Sequence, residues 1–365
     1  MKMIKRLLLL AIFFMPVTLL AQNNKPLRIG VAGLSHGHLW EVISRLDRGD
    51  FEVVGIAERN SELWKNERLQ AKVDKNLFFQ DINEMLDKTK PEVVIVYESI
   101  YDHLRIVEAC APRGVHVMVE KPLAANVKQA QRIAKLARQY NIMVLTNYET
   151  SWYPTNHKAY DLIKNGQIGE ISRIHVYDGH RGPKEIGCSP EFLEWLTDPV
   201  LNGGGAVIDF GCYGANLSTW LLNGQKPISV HATLQHLKPD VYPKVDDDAT
   251  IVVEYPHTTV IIMASWNWPM NRKDMHIYGK EGYIYQDNAT KMRVFVNNGK
   301  ETQLTAEDLP KPYNDSFYYL KAAVRGEIQV KPEDLASLEN NLIVVEILEA
   351  AITSHKTGKV VKLKN

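Results

Sequence analysis

The chain has 365 residues, with 43 basic and 43 acidic side chains, so its formal net charge is zero before the histidines are counted. This balance does not favour a nucleic-acid partner, since proteins that bind nucleic acid usually concentrate positive charge on one surface. The length exceeds what one hydrophobic core usually supports, so we expect two domains, and three cysteines do not suggest a disulfide framework.

The first 21 residues have the three-part layout of a secretory signal. A basic start (Lys2, Lys5 and Arg6) precedes an apolar run over residues 7–20, and the small residue Ala21 follows. The run is short for a membrane span, which needs about 20 apolar residues. We therefore expect a Sec-type signal peptide and a periplasmic or otherwise exported protein with no membrane contact after cleavage. An uncleaved membrane anchor is the alternative.

Strands and helices alternate from Leu27 to Glu149. Amphipathic helical patterns such as VKQAQRIAKLARQY separate short runs that are rich in β-branched residues, as buried parallel strands usually are. These runs are LRIGVAG, EVVGIAE, EVVIVYES, VHVMVE and IMVLTNYE. The series predicts a Rossmann-type α/β domain over residues 25–149, with a doubly wound parallel sheet that binds ligands at the carboxyl ends of its strands.

The rhythm changes after about Thr150. The chain continues with a helix, a strand and a second helix, the last of which is expected over residues 209–222. Strand patterns without helices between them follow, such as ATIVVEY, TVIIMASWNW, DMHIYG and MRVFVN. Consecutive strands without helices indicate an antiparallel sheet, so residues 150–365 are expected to form an α+β domain. A last helix is expected from about Glu333 to His355.

The turn GVAGLSHGHLW follows the first strand, where a dinucleotide-binding chain carries its glycines. Counted from Gly33, the three glycine positions hold Gly33, Ser35 and His38, so only the first glycine is kept. Ser35 is small enough to admit a pyrophosphate, and Glu58 ends the second strand as an acid for the ribose. The motif indicates a dinucleotide site, and a turn without a ligand is the alternative.

His36 and His38 also form a His-x-His pair, which is one half of some metal sites. The strand ends nearby offer Glu58, Glu98–Ser99 and Glu120–Lys121, a poor set for a soft or borderline metal. We therefore predict no metal.

Two later stretches carry side chains suited to chemistry. Lys121 in VEKPLA ends the fourth strand, where it either projects into the crevice or pairs with Glu120 on the surface. In LNGGGAVIDFGCYGANLSTWLL, Asp209 and Tyr213 stand four residues apart and would share a helix face. A tyrosine beside a carboxylate can transfer a proton if a nearby cation lowers its pKa. A helix cap with a packed aromatic is the alternative.

At EKP and GGGAVIDFGCYGANL the chain resembles the glucose–fructose oxidoreductase/inositol dehydrogenase/MocA (Gfo/Idh/MocA) family. The similarity runs from about Leu27 to the end, through VDDDATIVVEY, ASWNWP, HIYGKEGYI and AAITSHKTGKVV. It implies an amino-terminal domain that binds a nicotinamide dinucleotide and a second domain whose open, mostly antiparallel sheet often forms an oligomer interface. We expect a homo-oligomer, either a dimer or a tetramer.

The resemblance also implies roles for individual residues. Lys121 contacts the substrate hydroxyl and the nicotinamide ribose, Asp209 orients the substrate, and Tyr213 holds the position of proton transfer. The residues assigned to the cofactor are Gly33, Ser35, His36, His38, Glu58, Arg59, Ser99, His103, Glu120 and Lys121. The residues assigned to the substrate are Tyr148, Trp152, Arg181 and Asn216, the last in place of an aspartate that is common in relatives.

The predicted function is that of an exported NAD(P)-dependent oxidoreductase acting on a secondary hydroxyl of a sugar or sugar derivative. Glu58 favours NAD, and its neighbour Arg59 leaves NADP open. One alternative is an NAD-dependent glycosidase that oxidises, eliminates and reduces with a tightly bound cofactor. The other, suggested by the altered glycine turn, is a redox-silent protein that binds or senses a sugar.

Overall fold

The computed structural model describes residues 25–297 and 299–363, and the predicted signal peptide, residues 1–21, lies outside them. Two sheets organise this part of the chain, one of six strands and one of nine. Within the described residues, no helix is both long enough and apolar enough to span a membrane.

The first sheet is parallel and doubly wound, with the spatial order β3-β2-β1-β4-β5-β6. Its strands are β1 (Leu27–Ala32), β2 (Phe51–Ala57), β3 (Phe78–Phe79), β4 (Val93–Val96), β5 (His116–Glu120) and β6 (Val144–Asn147). Its helices are α1 (Leu39–Ile43), α2 (Glu67–Gln70), α3 (Ile82–Thr89), α4 (His103–Cys110) and α5 (Val127–Tyr140). The predicted Rossmann-type sheet is confirmed, and its strand order reverses between β1 and β4, where such sheets bind ligands.

The central strands are apolar because helices cover both faces of the sheet. All four residues of β4 are buried, which explains why this strand is a continuous β-branched run without polar alternation. Helix α5 begins after Asn126, whose side chain accepts a hydrogen bond from the Gln129 amide at 2.9 Å and so satisfies one exposed donor of the first turn.

The second sheet has the order β14-β13-β12-β11-β7-β10-β9-β8-β15. Its pairs are antiparallel except that β7 and β10 run parallel, so the predicted mostly antiparallel sheet is confirmed. Its strands are β7 (Ile171–Gly179), β8 (Ser229–Gln235), β9 (Asp248–Glu254), β10 (Thr259–Ser265), β11 (Arg272–Gly279), β12 (Gly282–Gln286), β13 (Lys291–Val296), β14 (Thr302–Thr305) and β15 (Val361–Lys362).

Helices α6 (Pro154–Lys164), α8 (Ala206–Asp209), α9 (Gly211–Leu221) and α11 (Leu338–Thr357) cover one face of the second sheet. Two further helices are α7 (Pro190–Leu196), which packs on the glycine turn, and α10 (Ser316–Val324). Helix α9 packs so closely on β10 that a Cβ atom at Gly214 would come within 2.6 Å of the Ile262 side chain. The last helix begins later than predicted, because the Ser337 side chain caps it by accepting from the Asn340 amide.

The end of the chain returns to the first sheet. Phe317 and Leu320 of α10 share an apolar cluster with Ile29 and Phe51, and the Thr146 amide donates to the Ala336 carbonyl at 3.0 Å. The predicted boundary near Thr150 falls between β6 and α6. The carboxyl-terminal segment nevertheless packs on both sheets, which holds them on either side of one cleft.

Candidate active site

A cleft of about 1310 Å³ opens at the carboxyl ends of β1 and β5. The first domain lines it with the glycine turn and Lys121, and the second domain lines it with side chains from α8, α9 and β11. The cleft therefore lies where a doubly wound sheet is expected to bind its ligand.

The first glycine of the turn is required by its surroundings. Gly33 has φ +88°, and a Cβ atom there would come within 2.7 Å of the Glu98 amide nitrogen. The Glu58 carboxylate supports the turn by accepting from the amides of Leu34 at 2.8 Å and Asn60 at 2.7 Å. A carboxylate accepts about four hydrogen bonds, so Glu58 retains capacity for a ribose hydroxyl.

His38 stands where a third glycine was expected, and it forms an ion pair. Its Nδ1 donates to Glu120 Oε2 at 3.0 Å, and Glu120 Oε1 accepts from the Asn147 amide at 3.0 Å. Burial raises the pKa of the Glu120 carboxyl, but the charge and hydrogen bond of His38, together with the hydrogen bond from Asn147, outweigh burial and bring that pKa to about 2. Burial lowers the pKa of His38, and Glu120 outweighs this effect so that the net pKa lies above its ordinary value.

His36 is buried and neutral. Burial, reinforced by the neighbouring charge of His38, lowers its pKa to about 3. Its Nδ1 accepts from the His38 amide at 3.1 Å, and its ring packs against Phe192 and Trp195 of α7. His36 thus connects the turn to the second domain.

The side chains of His36, His38 and Glu120 come within 4.8 Å of one another, close enough to be considered as metal ligands. One nitrogen of each histidine is already engaged, since His36 Nδ1 accepts a hydrogen bond from the His38 backbone amide and His38 Nδ1 pairs with Glu120. The three side chains thus form an ion pair, His38 with Glu120, beside the neutral ring of His36. The absence of a metal stays a prediction.

A second, smaller cavity of about 200 Å³ adjoins the cleft at the ends of β2 and β4. It is lined by Glu58, Arg59 and Ser99, three of the residues assigned to the cofactor, and Ser35 lines both cavities. Arg59 is paired with Asp102 at 3.0 Å. A dinucleotide with its adenosine in the smaller cavity and its nicotinamide in the cleft would pass over Ser35, so the residues present fit the predicted cofactor.

Lys121 and Asp209 meet at the base of the cleft. The Lys121 ammonium group donates to the Asp209 backbone carbonyl at 2.8 Å and forms a close ion pair with the Asp209 carboxylate. The other carboxylate oxygen accepts from the Trp266 indole N–H at 2.8 Å. Burial alone would raise the pKa of Asp209, but the charge and hydrogen bond of Lys121 hold it below its ordinary value. Lys121 thus faces the crevice and is not a surface partner of Glu120.

The glycine stretch before Asp209 is held by a buried acid. Asp246 accepts from the amides of Gly205 at 2.8 Å and Val207 at 2.7 Å. A Cβ atom at Gly205 would come within 1.8 Å of the Asp246 carbonyl oxygen. The helix predicted over residues 209–222 is in fact two, because the chain breaks at Phe210 between α8 and α9. Asp209 and Tyr213 still line the same cleft.

Tyr213 lies next to Lys121, whose ammonium nitrogen is 5.1 Å from the centre of the ring. Burial raises the pKa of Tyr213 well above 10, and the Glu149 carboxylate raises it further. The proton-transfer role predicted for Tyr213 requires a cation that lowers this pKa. The net shift has the opposite sign, because Tyr213 is buried among acids and Lys121 is already neutralised by Asp209.

Two residues with assigned roles point away from the cleft. His103 is fully buried, with Nδ1 donating to the Leu123 carbonyl at 3.2 Å. Asn216 is also fully buried, and its amide donates to the Leu335 carbonyl at 2.8 Å. Both side chains serve packing between segments distant in sequence.

The remaining substrate assignments, Tyr148, Trp152 and Arg181, are not among the side chains that line the cleft. Tyr148 is fully buried and packs edge-on against Tyr213. The Trp152 indole donates to the Asn147 side chain at 3.2 Å. These rings support the site from behind.

Sequence reasoning missed several side chains that do line the cleft, namely Glu149, Tyr153, His180, Lys273 and Asn288. Glu149 lies two residues after the end of β6, so the convergence of parallel strand ends could have indicated it. Lys273 and Asn288 lie on or beside second-sheet strands, and their sequence carries no comparable signal.

Two family models match the chain. Residues 27–148 match the model described as an oxidoreductase family with an NAD-binding Rossmann fold, and residues 156–285 match the GFO/IDH/MocA C-terminal domain.

Curated relatives cover most of the chain at low identity. The trans-1,2-dihydrobenzene-1,2-diol dehydrogenase of Xenopus tropicalis is 25% identical over 322 residues, which are 85% of this chain and 92% of that protein. The D-glucoside 3-dehydrogenase of Escherichia coli is 23% identical over 364 residues, 94% of this chain and 99% of that protein. The NADP(+)-type D-xylose 1-dehydrogenase of Haloarcula marismortui is 21% identical over 352 residues, 93% and 94% of the two chains.

Solved structures share the fold. An inositol dehydrogenase homologue from Azotobacter vinelandii, complexed with NAD+, superposes with a TM-score of 0.79 at 18% identity, covering 93% of this chain and 98% of that one. The aldose-aldose oxidoreductase of Caulobacter crescentus, complexed with glycerol, gives a TM-score of 0.77 at 19% identity, covering 93% and 100%.

Proposed function

This chain belongs to the Gfo/Idh/MocA family of NAD-binding oxidoreductases, and we propose that it oxidises or reduces a secondary hydroxyl of a sugar or sugar derivative. The observation that carries the proposal is the meeting of Lys121, Asp209 and Tyr213 in one cleft at the end of the parallel sheet. Relatives named for xylose and glucoside dehydrogenation support a sugar as the substrate class.

In the oxidative direction, each side chain has one task. Lys121 donates a hydrogen bond to the reacting oxygen of the substrate, and Asp209, held by Trp266, accepts one from a neighbouring hydroxyl. Tyr213, in its phenolate form, takes the proton of the reacting hydroxyl as the carbonyl forms and becomes a neutral phenol. A nicotinamide bound in the cleft would supply the two-electron acceptor for the hydrogen of the carbinol carbon.

We propose NAD as the preferred cofactor over NADP. Glu58, Glu98 and Asp102 line the smaller cavity, and Arg59 is already paired with Asp102. A 2′-phosphate placed among these carboxylates would meet like charges without an available guanidinium. Comparison of the dissociation constants for NAD and NADP tests this, and tighter binding of NADP would contradict it.

A retained cofactor is favoured by the cover over the glycine turn. Trp195 from α7 bonds to Ser35 and packs on His36. This geometry supports the second candidate function, a glycosidase that oxidises, eliminates and then reduces without releasing its cofactor. The redox-silent alternative is not supported, since the family is one of oxidoreductases and the cleft retains Lys121, Asp209 and Tyr213.

Product analysis distinguishes the two catalytic candidates. Purified protein is examined by native mass spectrometry for a bound dinucleotide and is then incubated with glycosides and free sugars. A keto sugar formed with reduction of the cofactor supports the dehydrogenase, and free sugar released without net reduction supports the glycosidase. Neither product from a broad panel, together with no dinucleotide binding, would overturn the proposal.

We also propose that the protein is exported and oligomeric. Export is supported by the leader sequence and is tested by sequencing the amino terminus of protein recovered from the periplasm. Half-buried aromatic side chains occupy the uncovered face of the second sheet, namely His175, Tyr177, Tyr278, Tyr283 and Tyr285. Such a face suits a symmetric contact with a second copy, and light scattering on a Tyr285→Glu variant tests it.

A further inference from the structure

A second ammonium group approaches the Tyr213 ring. The Lys273 nitrogen lies 4.7 Å from the ring centre, slightly closer than the 5.1 Å of Lys121. Lys273 belongs to β11 and lies opposite Asp178 of β7 in the antiparallel register. Both Lys273 and Tyr213 line the cleft, so a substrate in the cleft meets both cations.

Lys273 has its own counter-ion from the other domain. It forms a close ion pair with Glu149, which also accepts from the Tyr153 hydroxyl. Two ion pairs, Lys121 with Asp209 and Lys273 with Glu149, therefore cross between the domains beside one phenol. Each pair joins a residue near a first-sheet strand end to one from the second domain.

The two ion pairs differ in their contact with solvent. The side chains of Lys121 and Asp209 are 9% and 7% exposed, whereas those of Lys273 and Glu149 are 21% and 48% exposed. Water screens the Glu149 carboxylate, while Lys273 keeps its short approach to the ring. The charge of Lys273 is therefore less completely cancelled than that of Lys121.

Several other groups face Tyr213 and Lys273. Glu120 ends β5, Tyr148 follows β6, and Asp209 and Cys212 belong to the segment of Tyr213 itself. Asp178 is buried beside Lys273, and burial raises the pKa of its carboxyl well above its ordinary value. Burial therefore favours the uncharged form of Asp178, whereas Lys273 and Glu149 form an ion pair whose two charges can be removed separately by substitution.

We propose that Lys273 is a positioning residue for proton transfer, which stabilises the phenolate form of Tyr213, and that Glu149 is the opposing charge that limits this effect. The inference rests on the proposed function of Tyr213. In the oxidative direction, the O–H bond of the substrate breaks and its proton joins the Tyr213 phenolate. The carbinol C–H bond breaks, and its hydrogen leaves with both electrons to the nicotinamide, so that a ketone and a neutral phenol remain.

The test exploits the opposite signs expected for the two partners. Difluorotyrosine is placed at position 213 and its ionisation is followed by fluorine NMR, without substrate, in the unsubstituted chain and in Lys273→Met and Glu149→Gln variants. We expect Lys273→Met to weaken the acid about tenfold and Glu149→Gln to strengthen it about tenfold, as for one partly screened charge near 5 Å. If the ion pair only holds the structure together, both variants should shift the pKa of position 213 in the same direction. Either that result or an unchanged pKa would overturn the inference.

Two comparisons keep the result interpretable. Lys280 and Glu170 form an exposed ion pair elsewhere in the second domain, and Lys280→Met and Glu170→Gln should leave the ionisation of position 213 unchanged. Lys273→Arg keeps the charge, so it should restore the ionisation that is lost in Lys273→Met. The limb of the kcat–pH profile that reports the ionisation of Tyr213 should shift back in the same way. Opposite shifts with neither a keto sugar nor a released sugar, and with no dinucleotide binding, would retain the electrostatic inference and reject the proposed function. A keto or released sugar with no shifts would do the reverse.

Discussion

The indole N–H of Trp195 donates to the hydroxyl of Ser35 at 3.1 Å, which ties the second domain to the glycine turn across 160 positions of sequence. Ser35 lines both cavities, and a dinucleotide that spans them passes this bond. The contact therefore opposes both the binding and the release of the cofactor.

Replacing Trp195 by phenylalanine should speed release of NAD. One hydrogen bond contributes about 0.5–1.5 kcal/mol, so we expect the dissociation rate to rise roughly two- to tenfold. Stopped-flow displacement of NAD measures the rate. Trp220→Phe is the control, since Trp220 is buried against Tyr160 on α6 away from the cleft. An unchanged rate in Trp195→Phe would show that Trp195 does not restrain the cofactor.

Substitutions in the buried pair of Lys121 and Asp209 should affect stability and activity differently. Either Lys121→Met or Asp209→Asn leaves one charge unpaired, at a cost of about 3–5 kcal/mol in the free energy of unfolding. The double variant removes both charges and should recover most of that stability. Activity should stay at least about 100-fold lower in all three variants. Urea unfolding and single-turnover kinetics provide the two readouts, and an active double variant would exclude Lys121 from catalysis.

Stability should fall in mild acid because of His103. Burial lowers the pKa of His103 from 6.5 to about 4. The unfolded state therefore binds more protons between these values, so the contribution of His103 is full above pH 6.5 and is lost as the pH falls toward 4. We expect this contribution to the free energy of unfolding to reach about 3 kcal/mol. His103→Gln should reduce the dependence of the free energy of unfolding on pH between pH 7 and 4.5. Any change in stability that the substitution causes equally at every pH is subtracted first. Burial raises the pKa values of Glu98 and Asp246 to about 7 and about 6, so their contribution to stability grows as the pH falls. Because this contribution is the same in the unsubstituted chain and in His103→Gln, it cancels when the two are compared.

The two glycines of the turn should respond differently to a methyl group. Gly33→Ala forces a positive φ on alanine and places Cβ against Glu98, so we expect a loss of about 1–3 kcal/mol in stability and weaker NAD binding. Gly37→Ala is the matched control, since a Cβ atom at Gly37 has no neighbour within 4 Å. Calorimetry and thermal unfolding compare the two. Equal effects would show that the backbone at Gly33 is not constrained.

The His36, His38 and Glu120 cluster should contain no metal. Because His38 pairs with Glu120 and His36 accepts a hydrogen bond from the His38 backbone amide, we expect elemental analysis of purified protein to find no stoichiometric metal. Treatment with a chelator should leave activity unchanged. A metal present at one per chain and lost together with activity would contradict both expectations.

Much of the fold and part of the site were predictable from the sequence. The β-branched runs and helical periods are local patterns, and parallel strands must present their carboxyl ends at one edge. This is why the Rossmann-type sheet, the crevice, and the convergence of Gly33 and Glu58 upon it could be derived, whereas the place of Lys121 was left open by its residues and was assigned only by the resemblance at EKP. The resemblance at GGGAVIDFGCYGANL then identified Asp209 and Tyr213.

Tertiary packing decided the rest. Asn216 shares α9 with Tyr213 but turns toward Leu335, and Trp266, an ordinary core residue in sequence, holds Asp209. The contacts of Lys273 with Glu149 and of Trp195 with Ser35 join positions 124 and 160 residues apart. Sequence periodicity specifies which residues share a face of one helix or strand, but not the rotation at which that face meets another domain. The charges around Tyr213, and hence the direction of its pKa shift, depend on that rotation and on burial between the domains.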